Sequence, residues 1–285
     1  MSSTTSINKF KMQKYVSQTL IYLFLILVAV TAFFPFYTML ISSTYDNYNI
    51  TTHVNILPGT HFIENYLRLT KNLDIWRGFL NSFVVASLHT FLGLYITALT
   101  AYAFSKFRFK GRNVLFMIIL VAMMLPGQIG IIGFFKEISD LKMLNTYFPL
   151  ILPGMANCFG VFFFKQYLDG SVPNEMIEAA YMDGCSELTI LHRIVMPMMK
   201  PALVTQGVMT FIGSWNSYMD PLIIIRETKK MTLPVLIATV KSAYGADYGA
   251  QYVGILISVL PLVIIFSFAS GLIMDNISIS SSIKG

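Results

Sequence analysis

Charge is scarce in this sequence. Of its 285 residues only 12% are Asp, Glu, Lys or Arg, while 55% are hydrophobic and 14% aromatic; soluble domains usually carry roughly a quarter charged residues. An ordinary water-soluble fold is thereby excluded. Cysteine is almost absent: Cys158 and Cys185 are the only two, one inside a hydrophobic run and one in a polar loop, so no disulfide is expected. His53, His61, His89 and His192 are scattered, with no companion at metal-ligand spacing. No G-x-x-x-x-G-K-[ST] phosphate loop occurs, so the chain cannot hydrolyse ATP by itself. Acids are fewer than bases, 14 against 20, for a net charge of +6. The excess bases sit at the ends of hydrophobic runs, where a membrane protein keeps them, and do not call for a nucleic-acid partner.

What the chain has in abundance is long apolar stretches. A membrane span needs about 20 mainly apolar residues, and six stretches qualify: 18–42, 79–104, 114–135, 147–168, 201–225 and 251–274. The expected fold is therefore an all-α integral membrane protein of six transmembrane helices, spanning 18–274, with residues 1–17 before it and a tail of 275–285 after it. The first run follows a basic segment but is too long for a signal peptide and lacks a small-residue cleavage site. Lys9, Lys11 and Lys14 precede the first span, and Lys106, Arg108, Lys110 and Arg112 crowd the loop after the second. By the positive-inside rule both regions are cytoplasmic. Six spans then put both termini and the 173–200 segment in the cytoplasm.

Three stretches carry more than hydrophobicity. In the second span Ser82, Ala86, His89, Gly93, Thr97 and Thr100 share one face, a small and polar stripe that lets a neighbouring helix approach. In the third, Pro126-Gly127 beside Gln128 breaks the helix, and the freed backbone groups need protein or water around them. In the fifth, Gln206, Thr210, Gly213, Ser217 and Asp220 recur at offsets of four, three, four and three, flanked by Trp215, Asn216 and Tyr218. Polar side chains beside aromatic faces suit a sugar, with its hydroxyls and its C–H surfaces; the same stripe could instead pack against a partner subunit.

Between the fourth and fifth spans, Glu178-Ala179-Ala180 leads into Asp183 and Gly184, and a second short helix starting at Ser186 is expected to end at Pro197. With Ile194 and Pro197, these residues match position by position the EAA loop of ABC importer permeases. Asp183, Lys200-Pro201-Ala202-Leu203, the Ala101-Tyr102-Ala103-Phe104 signature and the terminal Lys284-Gly285 resemble the sugar-importing branch, in particular the shorter permease of maltose-type, oligosaccharide-importing systems. Trp215-Asn216 and Pro221-Leu222 match that branch too, whereas Ser217 and Asp220 depart from it, as does Gly133, where relatives often carry proline. The resemblance implies a type I ABC importer permease in the bacterial cytoplasmic membrane. It also implies a cytoplasmic two-helix coupling loop over 173–200, joined at the ATPases by Lys284 and Gly285. It further implies a heterodimer with a second permease, two ATPase subunits holding the ATP and Mg, and an extracytoplasmic sugar-binding protein touched by Tyr244, Gly245, Asp247 and Tyr248. No cofactor is expected on this chain. The alternatives are an ABC importer for a non-sugar solute such as a glycerol phosphate ester, which would favour arginines in the spans, and an ion-driven transporter, which would need several buried acids.

Overall fold

The computed structural model describes residues 2–242 and 245–282, without the side chains of 2–14, 72, 128, 242, 270 and 272–282. Tyr244, Lys284 and Gly285 lie outside the described residues. Two compact units are present, one formed by the stretches up to Asn72 and Val240–Leu256, the other by Leu73–Thr239 and from Ile257 onward.

The first unit opens with α1 (Ser2–Ser42), whose apolar part, Tyr15–Ser42, has none of its hydropathic window buried. Residues 44–72 contain two short helices. Asp46 caps α2 (Asn47–Thr52) by accepting from the Asn49 N–H at 3.2 Å, and α3 (Phe62–Asn72) buries Asn65 and Leu69, one turn apart.

In the second unit Asp74 caps α4 (Ile75–Lys106). The small-residue stripe is its buried face: Ser82, Ala86, Gly93 and Thr97 are inside while Val84, Leu88 and Phe91 are exposed. Gly111, at φ 84, starts α5 (Arg112–Met124). The chain then breaks as the Pro126-Gly127 pair requires, passes through a 3-10 turn at Gly127–Gly130, and continues as α6 (Ile131–Asp140). The fourth stretch is α7 (Phe148–Ile151), a 3-10 turn at Leu152–Ala156 and α8 (Cys158–Ser171), restarted by Asn157, whose side chain accepts from the Gly160 N–H at 2.8 Å. Its glycines let it reach α4 closely, for a Cβ on Gly93 would lie 2.7 Å from the Gly154 carbonyl oxygen.

After α8 come α9 (Asn174–Met182), α10 (Glu187–Ile190), a wide π turn at Leu191–Val195 and α11 (Met196–Met198). Pro197 does not end this helix as expected. A π turn frees carbonyls from the i−4 ladder, so a residue without an N–H is accommodated inside the helical run, which turns only at Met199. The fifth stretch is α12 (Lys200–Trp215) and α13 (Met219–Ile224). Here the expected continuous stripe is corrected: the helix stops at Trp215, because Pro221 cannot donate to the Ser217 carbonyl and its ring would crowd it. A short α14 (Leu233–Ala238) follows. A two-stranded hairpin, β1 (Lys241–Ser242) with β2 (Gly245–Ala246), belongs to the first unit, and the long α15 (Tyr248–Ser282) begins there. Among the described residues four stretches are long and apolar enough to cross a membrane: Tyr15–Ser42, Ile75–Lys106, Phe148–Ser171 and Tyr248–Ala269. The third and fifth expected spans, broken by their own turns, are not among these four.

Candidate functional site

The 173–200 loop is a folded corner with one face buried and one bare. Glu175 in the first turn of α9 suits the positive end of the helix dipole. Its end is a Schellman closure: the Gly184 N–H donates to the Tyr181 carbonyl at 2.9 Å and the Cys185 N–H to the Ala180 carbonyl at 3.0 Å, with Gly184 at φ 76. Ser186 then caps α10, accepting from the Thr189 N–H at 3.4 Å. Ile177, Ala180, Ile190, Leu191 and Val195 enter one apolar core with Ala98, Ala101 and Phe164, and Ile194 packs at its edge. Glu178, Ala179, Asp183, Gly184 and Pro197 stay exposed, as do Met182 and Leu188.

Two residues at the end of α4, read in the sequence only for charge and as part of a signature, anchor the loop. The Lys106 ammonium donates to the Val172 carbonyl at 2.5 Å and to Asn174 Oδ1 at 3.1 Å, fixing the start of α9. The Tyr102 hydroxyl donates to Glu187 Oε2 at 3.3 Å, and Tyr181 donates to the other oxygen of the same carboxylate. Burial, and after it the Glu187 carboxylate, raise the pKa of the Tyr181 hydroxyl, so it remains a donor. The Ala101–Phe104 signature contained the signal for Tyr102, but a partner 85 residues away in sequence leaves no periodic trace.

A cleft of about 780 Å³ opens in the same unit, lined by Val85 and His89 of α4, Gly127, Gly130, Ile131 and Phe134 around the third-stretch break, Pro149, Leu150 and Pro153, and Gly213, Ser214, Ser217, Met219, Asp220 and Pro221 around the fifth. Both helix breaks meet here. His89 Nδ1–H donates to the Leu150 carbonyl at 2.9 Å. Of the expected pathway residues, Gly213, Ser217 and Asp220 reach this cleft; the backbone of Gln128 lies between two of its lining glycines, and its side chain is outside the description. The others do not line it. Gln206 is buried and donates to Thr210 Oγ1 at 3.4 Å, while Asn216 and Tyr218 are exposed elsewhere. Trp215 is a core residue and not a sugar platform: it is 1% exposed, stacks on Phe211, meets Phe79 edge-on, and its indole N–H donates to the Ser258 carbonyl at 3.0 Å. Burying a large aromatic in the protein offsets more free energy than leaving it against a passing solute.

In the first unit an ion pair braces the hairpin of β1 and β2. Arg68 donates from Nε to Asp247 Oδ2 at 2.9 Å and from Nη2 to Oδ1 at 3.3 Å, and Asp247 Oδ1 accepts from the Ala250 N–H at 3.2 Å. Asp247 is 3% exposed. Expected as a contact for another protein, it instead faces inward, since a carboxylate with a guanidinium fork and a helix N-terminus beside it is most stable paired with them. Gly245 and Tyr248 are exposed. Among the described residues no three His, Cys, Asp or Glu side chains gather as a metal site would require.

Residues 90–277 match the family described as "Binding-protein-dependent transport system inner membrane component". The chain is 31% identical over 267 residues to the arabinooligosaccharides transport system permease protein AraQ of Bacillus subtilis (strain 168), covering 92% of this chain and 94% of AraQ. It is 33% identical over 253 residues to the sn-glycerol-3-phosphate transport system permease protein UgpE of Escherichia coli O1:K1 / APEC, covering 85% and 89%. In fold it is similar to a chain of a bacterial ABC transporter involved in the import of the acidic polysaccharide alginate, with a TM-score of 0.77 at 24% identity, over 91% of this chain and 97% of that one.

Proposed function

The chain belongs to the family of binding-protein-dependent transport system inner membrane components, as a sugar-type ABC importer permease, and from that premise we propose that it forms one half of the membrane channel of an oligosaccharide importer. Its partners in this reading are a second, different permease, two ATPase subunits that hold ATP and Mg, and an extracytoplasmic binding protein. Both termini and the 173–200 loop face the cytoplasm, where Glu178, Ala179, Asp183, Gly184, Ile194 and Pro197 meet an ATPase, joined by the tail at Lys284 and Gly285. ATPase closure moves this loop as a rigid body and, through α12, reshapes the cleft at Gly213, Ser217 and Asp220. The exposed outer hairpin, with Gly245 and Tyr248, is the face offered to the binding protein.

The carrying observation is the loop. A mere connector needs neither a Schellman closure nor three side-chain anchors. Here one face is sunk in the core while the other leaves Met182 and Leu188 bare, as a docking surface does. Glu178→Arg reverses a charge on that bare face without touching the core. The expected result is normal membrane insertion with copurification of the ATPase and coupled uptake both reduced at least several-fold. Undiminished copurification and uptake would return the loop to the status of a connector.

UgpE supports a second reading, a glycerol phosphate ester as solute, because it is as similar to this chain as AraQ is. Against it stands the cleft, where no Lys or Arg is among the lining residues. Uptake of a neutral oligosaccharide panel and of sn-glycerol-3-phosphate by the complete system separates the two.

A further inference from the structure

The cleft's polar side chains include a carboxylate and no cationic Lys or Arg. Its apolar walls come from Val85, Ile131, Phe134 and Leu150, and into this space the protein puts the Asp220 carboxylate, the His89 ring and the hydroxyls of Ser214 and Ser217. The His89 Nδ1–H is already engaged by the Leu150 carbonyl, so that nitrogen is not free for a solute. Asp220 is exposed and has no hydrogen-bond or ion-pair partner among the described residues. By contrast, Lys165 lies 2.6 Å from Asp169 and Lys230 lies 3.0 Å from Glu227 in the same unit. The charge of Asp220 is therefore left unneutralised, between low-dielectric walls that focus its field.

We infer that this cleft is a charge filter: it accepts neutral, hydroxyl-rich or amine-bearing sugars and turns away anionic solutes such as phosphate esters and uronates, with Asp220 setting the sign. A hydroxyl or ammonium donor finds acceptors on Asp220 and the serines, whereas a phosphate or carboxylate meets a like charge and no guanidinium or ammonium to hold it. The inference rests on the reading of the cleft as part of the pathway and goes beyond it by naming the class of solute.

The test reads the potential in the cleft directly, without depending on what the binding protein selects. Ser217→Cys is placed in the assembled transporter with all its subunits. Modification of this chain is then followed by mass with a cationic trimethylammonium and an anionic sulfonate methanethiosulfonate reagent. Rates from the parent chain, with its own Cys158 and Cys185, are subtracted. The cation should react about tenfold faster than the anion, and Asp220→Asn should collapse that ratio toward one. Equal rates, or a preference that survives Asp220→Asn, would overturn the filter while leaving the pathway reading intact. A thiol that neither reagent reaches during ATP turnover would overturn both. Ser214→Cys repeats the measurement if the first variant does not assemble.

Discussion

At the scale of single residues, the sequence showed positions that need a backbone conformation better than positions that need a partner. Gly184 was legible because a corner between two helices calls for positive φ, and it stands at φ 76 with open space where a Cβ would be. A substitution there costs conformation and not collision, about 1–2 kcal/mol for a residue that resists the left-handed region. Gly184→Val should therefore lower binding-protein-stimulated ATPase activity several-fold while Gly184→Asn retains most of it; equal loss in both would remove φ as the cause. Tyr102 was quoted only as part of a signature, since its partner Glu187 is remote in sequence. Tyr102→Phe removes one hydrogen bond to a carboxylate, about 1.5–3 kcal/mol for a buried case and less here because Glu187 is exposed. Faster limited proteolysis within 173–200, at unchanged expression, is the expected readout. Asn145 makes contacts that no periodicity shows: at φ 60 its side chain accepts from the Arg226 and Glu227 N–H groups at 3.3 and 3.1 Å. Trp215 and Asp247 were read outward from chemistry that suited a solute or a partner. Residue type states what a side chain could bind, and only packing decides what it does bind.

At the scale of elements, periodicity was legible wherever a helix runs unbroken. The stripe on α4 is buried as its spacing requires, and its purpose is close approach: a Cβ on Gly154 would lie 2.8 Å from the His89 carbonyl oxygen and 2.9 Å from His89 Nε2. The backbone atom cannot rotate away. Gly154→Ala should lower the melting temperature of the purified protein, the usual cost of overpacking being about 1–3 kcal/mol. Gly170→Ala, on the same stretch with nothing within 4 Å of the new methyl, should be neutral or slightly stabilising. If both variants melt alike, the tight crossing is not what holds α4 to this stretch. The fifth stretch shows where periodicity fails. Counting offsets through Asn216 assumed a helix that Pro221 does not allow, so Gln206 and Asp220 were placed on one stripe although they belong to separate elements. The third stretch was read correctly because its proline was given weight, and the same weight at Pro221 would have found the second break.

At the scale of the whole molecule, scarcity of charge and the length of the apolar runs identified a multi-pass membrane protein, and the matching relatives place it in its family. The proposed orientation rests on the basic loop at 106–112. A cysteine introduced as Glu187→Cys in the exposed loop should react with an impermeant reagent from the cytoplasmic side alone; ready labelling in intact cells would invert the topology. Truncation after residue 279 should lower coupled ATPase activity without preventing assembly if the tail joins the ATPases as proposed, and normal coupling would dispose of that contact. The helical path from the loop to the cleft has a further, mechanical meaning. α12 is 16 residues long, about 24 Å, with the loop at one end and Gly213 at the other, so in the proposed coupling it serves as a lever arm. A tilt of about 10° carries the far end of a rod of that length about 4 Å. The π turn at Leu191–Val195 and the bend at Met199 lie at the fulcrum. A rotation small enough to be absorbed by packing at the loop is thus comparable, at the cleft, to the thickness of a sugar ring.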